Sequence, residues 1–447
     1  MKRLLTMLLA MCLVVTCLAG CGNGGSTDES GVETVHVWSS SGGSKVVWEK
    51  LVEDYNSTRG KEKGIKIELT TYGSDYATIV DVARQNGQLP EILDSGYGQT
   101  KFLEYIKTDD IIPIANMKGG TEFLEAQNCE TIEGKNMIDG KVYDVFVRTT
   151  VSGLLYNKDL FKKAGIVDEN GEAKPPKTIA EAREYAKKIT DKKAGIYGYA
   201  FPMKFDWGYL LSSPFAASTG GNTKYDYENI TRDYSGWKKP LEWLLAMKKD
   251  GSLFPGSESL DNDTARAYFA EGNIGMMAGM SWDVGVLTSQ FVASCDWGVA
   301  PFPLIDENVK YPAWRTISSG FNLTKTALNG NQEKIMDVFE YLHSKEACLA
   351  LYENNMELPY NVDYIKDADN SKIIPQFTQF ANLVDDTYEI KVTPSIKMEG
   401  DSQAVVFSKV FTGEISIDEG IADLTKRATA AFKKGVENGE IDLSLYK

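Results

Sequence analysis

The chain carries few of the side chains that chemical catalysis requires. Its 447 residues include two histidines, His36 and His343. Nucleophilic triads and multi-histidine metal centres need His beside other reactive groups. His36 lies in the strand-like run Val35-His36-Val37-Trp38, and His343 closes the helical run Ile335 to Leu342, patterns that put each on a polar face. GxSxG, HExxH, CxxC, a P-loop and GxGxxG after a strand are absent, so no catalytic residue is assigned and no cofactor is expected. Asp367-Ala368-Asp369-Asn370 lacks the ligand spacing of an EF-hand, so no metal site is expected either. Glu399 and Asp401, on a glycine-bearing loop, read as solvated carboxylates. What the chain does hold is aromatic surface, 8 Trp, 22 Tyr and 18 Phe, which suits the binding of flat apolar faces.

The charge narrows the partners. A formal −15 repels phosphate backbones and anionic lipid, and no run of Lys/Arg offers a basic face, so nucleic acid is not expected. The length predicts two or three domains of about 100–200 residues each, and the composition is that of a folded protein.

The first residues read as an address. Lys2 and Arg3 form a positive start, and Leu4 to Val15 an apolar stretch too short to span a bilayer as a mature helix. It runs into Leu18-Ala19-Gly20-Cys21, which resembles the lipobox of a bacterial lipoprotein, followed by the linker Gly22-Asn23-Gly24-Gly25-Ser26-Thr27. That resemblance implies removal of residues 1–20, lipidation of Cys21, a flexible tether over 21–31 and a location on the outer side of a cell membrane. Of the other cysteines, Cys12 and Cys17 leave with the leader. Cys129, Cys295 and Cys348 allow at most one disulfide, and buried free thiols are the simpler expectation.

The elements after the tether alternate. Val35 to Trp38 reads as a strand, Lys45 to Tyr55 as a helix with Val47, Leu51 and Tyr55 on one face, and Ile65 to Leu69 as an alternating strand. A helix near Ala77 to Asn86 and a short strand Pro90 to Asp94 follow. This βαβαβ order predicts an α/β fold whose ligands gather in loops at the carboxyl ends of parallel strands. Ser40 and Ser41 after the first strand, and Asp94 and Tyr97 after the third, are the polar candidates there. Thr178 and Glu181 have capping-box spacing, which starts a helix over Ile179 to Ile189. Trp48 and Trp243 fall within helical patterns and read as core.

Longer strings carry a family resemblance. Gly153-Leu154-Leu155-Tyr156-Asn157-Lys158-Asp159-Leu160-Phe161-Lys162-Lys163-Ala164-Gly165 with Pro175-Pro176-Lys177-Thr178 resembles the signature of family 1 extracellular solute-binding proteins of ABC transporters. Tyr268 to Trp282, Trp297 to Pro303, Ser319 to Leu323 and Met356 to Pro359 are similar to later segments in family order, so the resemblance covers essentially the whole chain after the leader. One departure is Val145 to Thr150, where members commonly carry a Pro.

The resemblance implies a periplasmic-binding-protein-like fold of two α/β lobes, hinge crossings and an inter-lobe ligand cleft. Crossings are expected near Arg148 to Val151, Met277 to Gly279 and Ser319 to Phe321. The N-terminal lobe then takes 32–148 and 279–318, and the C-terminal lobe 149–278 and 319–447. The implied ligand is a sugar or oligosaccharide, held by Trp207, Trp282 and Trp314 as flat surfaces and by Ser40, Ser41, Asp94, Tyr97 and Arg148 as polar contacts. The implied partners are ABC permease subunits and, through the lipid, the membrane, with the protein acting as a monomer. A secreted carbohydrate-active enzyme with two carboxylates about 5–9.5 Å apart, a binding protein for a non-sugar solute and a surface protein serving a sensor partner are the alternatives.

Overall fold

A computed structural model describes residues 31–40, 43–204, 224–305, 313–384, 387–389, 393–394 and 396–446. The leader, Cys21, Ser41 and Trp207 lie outside the described residues. The chain forms two compact units, one of Met1–Thr131, Asn136–Val145 and Gly320–Ser344, the other of Ile132–Lys135, Phe146–Ser319 and Lys345–Lys447. The strands used below are β1 (Glu33–Ser39), β2 (Ile65–Thr71), β3 (Ile92–Asp94), β4 (Phe146–Asn157), β5 (Tyr197–Ala200), β6 (Ile274–Met280), β7 (Trp297–Ala300), β8 (Ala313–Ser319), β9 (Phe321–Leu323), β10 (Leu358–Pro359) and β11 (Thr387–Glu389).

The first unit is built on a four-stranded sheet in the order β9-β3-β1-β2. β1 runs parallel to β2 and β3, and β9 closes the edge antiparallel to β3. Along β1 burial alternates, with Val35 and Val37 wholly buried and His36 and Trp38 half-buried, the period of two that a pleated strand imposes. Helix α1 (Lys45–Ser57) buries Val47, Trp48, Leu51, Val52 and Tyr55, one stripe at helical spacing.

His343 corrects its expectation. It is buried rather than on a polar face, because it ends helix α3 (Gln332–Leu342) and packs against Phe339, Phe321 and Phe123. Its ring is satisfied there by Phe339 O at 2.7 Å and by Phe321 N, which donates to Nε2 at 2.9 Å.

The second unit centres on β4, whose twelve residues are all buried. Burial of every residue on both faces marks a strand covered on each side, although Arg148, Thr149, Thr150, Ser152 and Asn157 bring polar groups into it. β8 and β10 pair with its first half, β6 and β7 with its second. β5 extends the sheet beyond β6, and β11 beyond β8. Thr178 caps the helix Ile179–Ile189 by accepting from Glu181 N, while the Glu181 carboxylate reaches Lys177 N at 2.6 Å instead of closing the box on Thr178.

The lobe assignment of two segments is also corrected. Residues 279–318 lie in the second unit and Gly320–Ser344 in the first, the reverse of the expectation. The chain cannot leave the sheet at Gly279, because Gly279 pairs with Gly153 and Met280 with Ser152 on β4. The approach there is close, since a Cβ on Gly279 would stand 2.5 Å from Leu155 Cγ.

Candidate functional site

Within the first unit, the carboxyl ends of β1, β2 and β3 lie side by side. Tyr72 N donates to Ser39 O at 3.0 Å, tying the end of β2 to that of β1. Asp94 ties β3 to β1. Its side chain accepts from Ser39 Oγ at 3.1 Å, Ser40 Oγ at 3.0 Å and Gly96 N at 2.6 Å, the last bond capping the turn Ser95–Tyr97. The loops touch, for a Cβ on Gly96 would come within 1.9 Å of Ser40 Oγ. Asp94 is thus a buried brace that sets the spacing of two loops, and Ser40, half-buried, is the more accessible member of the group.

Two expected contacts are filled by the protein itself. Tyr97 is buried, and its hydroxyl donates to Asn322 Oδ1. Burial, with the Asp144 and Asp94 carboxylates nearby, pushes that hydroxyl well above its ordinary value and keeps it a donor. Its ring stacks over Tyr76 and packs at a tilt against Tyr105. Arg148 is buried on β4 and ion-paired to Glu357 at 3.0 Å. A solute reaching for either side chain would have to displace an existing buried bond.

Sequence reasoning missed an aromatic pair at the same edge. Trp38 and Tyr72 are half-buried and meet edge to face, their centroids 5.1 Å apart. The available signal was positional. Trp38 stands one residue from the end of a parallel strand, the end at which open α/β sheets collect ligands.

In the second unit, the turn after β6 presents Trp282, half-buried at the start of helix α2 (Asp283–Ser289). Its neighbours hold it firmly. Asp283, buried, accepts from Met280 N at 2.7 Å and Arg266 Nε at 2.8 Å, and also from Arg266 Nη2. Ser281 N donates to Val151 O at 2.8 Å. Trp314 lies on β8, where its backbone pairs with Tyr388 of β11.

Cys129, Cys295 and Cys348 are free, and burial pushes the Cys295 and Cys348 thiols up to about 11, so neither is a thiolate at neutral pH. Among the described residues no group of three His, Cys, Asp or Glu could hold a metal.

A family model described as bacterial extracellular solute-binding protein matches residues 40–347. A putative binding protein of Brucella abortus is 24% identical over 330 residues, covering 68% of this chain and 71% of its own length. The arabinooligosaccharide-binding protein of Bacillus subtilis is 29% identical over 265 residues, 57% of this chain and 56% of that relative. Among solved structures, the maltose/maltodextrin-binding domain MalE from Bdellovibrio bacteriovorus, bound to maltotriose, matches with a TM-score of 0.68 at 20% identity, covering 90% of this chain and 100% of its own. That likeness gives the fold, a two-lobed α/β architecture.

Proposed function

Because the chain belongs to the bacterial extracellular solute-binding proteins, we propose that it captures a sugar or oligosaccharide and delivers it to the permease of an ABC importer. The observation that carries this reading is the family match over residues 40–347, which runs through both units. Members of this family bind solutes and do not transform them. The sugar class is supported by the arabinooligosaccharide-binding relative and the maltotriose-bound structural neighbour.

The chemistry of the edges fits that class. Pyranose rings offer apolar C–H faces that lie against aromatic side chains, and equatorial hydroxyls that need polar partners. Trp282 on one unit and the Trp38–Tyr72 pair on the other supply aromatic surface. Ser40 supplies a hydroxyl, and Ser41, Trp207 and Trp314 remain proposed contacts. Asp94 acts by spacing the loops, while Tyr97 and Arg148 act through the packing they hold. Closure of the units over the solute would select the form that engages the permease.

The protein works outside the cell, held as a monomer on the membrane by lipid on Cys21. Among the described residues no helix is long and apolar enough to cross a membrane, and buried acyl chains contribute about 0.8 kcal/mol per methylene, enough for several chains to anchor it. Replacing Cys21 by Ser should move the protein from the membrane fraction to the medium; retention would refute the anchor. Calorimetry against maltotriose, raffinose, arabinotriose and mannotriose tests the ligand class. Binding of glycerol phosphate with no heat from any glycan would replace the sugar reading while keeping the family.

A further inference from the structure

We infer that Asp144, Asn322 and His343 form a buried polar clamp that fixes the first unit's side of the chain crossings to the ligand loop after β3. The inference rests on the proposed closure of the two units for its purpose, but the clamp is a feature of the first unit alone. All of the clamp's contacts lie within that unit.

The chain passes between units at Val145/Phe146, Ser319/Gly320 and Ser344/Lys345, and makes a short excursion over Ile132–Lys135. At Ser319/Gly320 the passage is abrupt. β8 ends at Ser319 in one sheet and β9 begins at Phe321 in the other, so a single residue, Gly320, separates them. Sheet hydrogen bonds cannot continue through such a step, and the amides beside it need other acceptors.

Gly320 N is shared between the Val145 carbonyl at 3.2 Å and the Asp144 carboxylate, and Asp144 serves both crossings. Its Oδ1 accepts from Val145 N at 2.7 Å and from Gly320 N at 3.2 Å, and its Oδ2 accepts from Asn322 Nδ2 at 2.8 Å. One side chain thereby ties the first crossing to the second. His343 ties the second to the third. It accepts from Phe321 N at Nε2, shares Nδ1–H with the Phe339 carbonyl, and stands one residue before Ser344. A carbonyl can only accept and an amide only donate, which sets the ring as neutral with its proton on Nδ1. Asn136, wholly buried, adds the remaining excursion, donating to Glu130 O at 3.0 Å and Asp144 O at 3.3 Å.

The clamp reaches the ligand edge by two bonds. Ser95 N donates to Gly320 O at 3.2 Å, and Tyr97 donates to Asn322. Since Asp94 also holds Ser39 and Ser40, the loops after β1 and β3 and the crossings form one connected polar network. On the second unit's side the chain is tied as well, Tyr360 N donating to Val147 O at 3.0 Å and Arg148 pairing with Glu357 at 3.0 Å, with a register shift between Ser318 and Ser319 where β8 pairs β4.

Hydrogen exchange of the purified protein without ligand tests the clamp independently of what it binds. In Asp144→Asn, exchange at 145–146, at 320–322 and at 95–97 should rise together by about tenfold or more, the loss of one charge-assisted bond, while β1 and β2 stay protected. Unchanged exchange at 95–97, or an equal rise throughout the unit, would overturn the clamp. Tyr97→Phe removes a single hydroxyl and should still speed exchange at 320–322; no change there would equally overturn it, even if Asp144→Asn does not fold. In the double variant the effects at 320–322 should fall short of additivity, since both act through Asn322; strict additivity would make the residues independent packing groups and reject the clamp.

Discussion

Two strand ends, one in each unit, are both organised by a buried aspartate, and they differ in what satisfies it. Asp94 accepts from two hydroxyls and a backbone amide, all neutral donors belonging to adjacent loops. Asp283 accepts from a guanidinium and the Met280 amide. Arg266 is itself largely buried, and its pKa stays raised because Asp283 and Asp263 outweigh the burial that lowers it. The donors on Asp94 are uncharged, so a solute hydroxyl could take the place of the half-buried Ser40 without stranding a cation, whereas opening the Asp283 pair leaves the Arg266 guanidinium buried and unpaired on that side. The turn carrying Trp282 is thus held by an ion pair, and the loops carrying Ser40 by uncharged donors on a carboxylate.

This contrast can be broken by substitution. The largest effect belongs to the ion pair. Asp283→Ala strands Arg266 and should cost about 3 kcal/mol of unfolding free energy, the lower end for a broken buried pair because Asp263 still attends the guanidinium. A denaturant midpoint unchanged from the parent would remove the ion-paired half of the comparison. Asp94→Ala leaves one buried amide and two rotatable hydroxyls and should cost about 1–3 kcal/mol; a loss exceeding that of Asp283→Ala would reverse the argument.

Trp282→Ala should weaken glycan binding about tenfold while leaving stability within about 1 kcal/mol, since the ring is only half-buried. Unaltered affinity, read by calorimetry, would move Trp282 out of the site. Ser40→Ala should lower affinity by less than that, and the Asp94 brace should survive through Ser39 and Gly96; unfolding of this variant would show that Ser40 is structural.

The smallest effect is a pH dependence at the same sheet. His36 pairs with Glu91 at 3.2 Å. The bond to Glu91 raises the His36 pKa above its usual 6.5, with Glu68 on β2 adding to it. For Glu91, burial works upward, but the His36 donors outweigh it and leave the carboxyl lowered. The histidine's contribution is full below about pH 6.5 and fades as pH rises through its raised folded value, while the glutamate's is present above about pH 4.5 and fades as pH falls through its lowered one. Stability from the pair therefore peaks between those limits. His36 is too exposed for more than about 1 kcal/mol after solvent screening. Comparing His36→Gln with the parent across pH should show the two curves converging above neutrality; a constant offset would assign His36 a packing role only.

Much of this was readable from local spacing, and what was not depended on partners far along the chain. The helix Ile179–Ile189 follows from Pro175-Pro176 and the Thr178 cap, and β2 alternates as an exposed-face strand should. The burial of Arg148 depends on Glu357, 209 residues later, and that of Tyr97 on Asn322, 225 residues later. No pattern near either residue announces its partner. The crossing expected near Ser319 to Phe321 coincides with the unit boundary at Ser319/Gly320, whereas the one expected near Met277 to Gly279 does not occur, because that stretch pairs with β4 and no local pattern marks which sheet supplies a strand's hydrogen bonds. Asp94 was legible as a residue of the ligand edge but not as a brace, since its role needs the lateral approach of β1.

The central claim is that the protein binds carbohydrate without transforming it. Titrating the purified protein with maltotriose, raffinose, arabinotriose and mannotriose tests it most directly. The account predicts saturable, equimolar binding of at least one glycan with a Kd near or below about 1 μM, some −8 kcal/mol, and recovery of the glycan unchanged. Absence of heat and of tryptophan fluorescence change with every glycan, or appearance of a cleaved product, would contradict it.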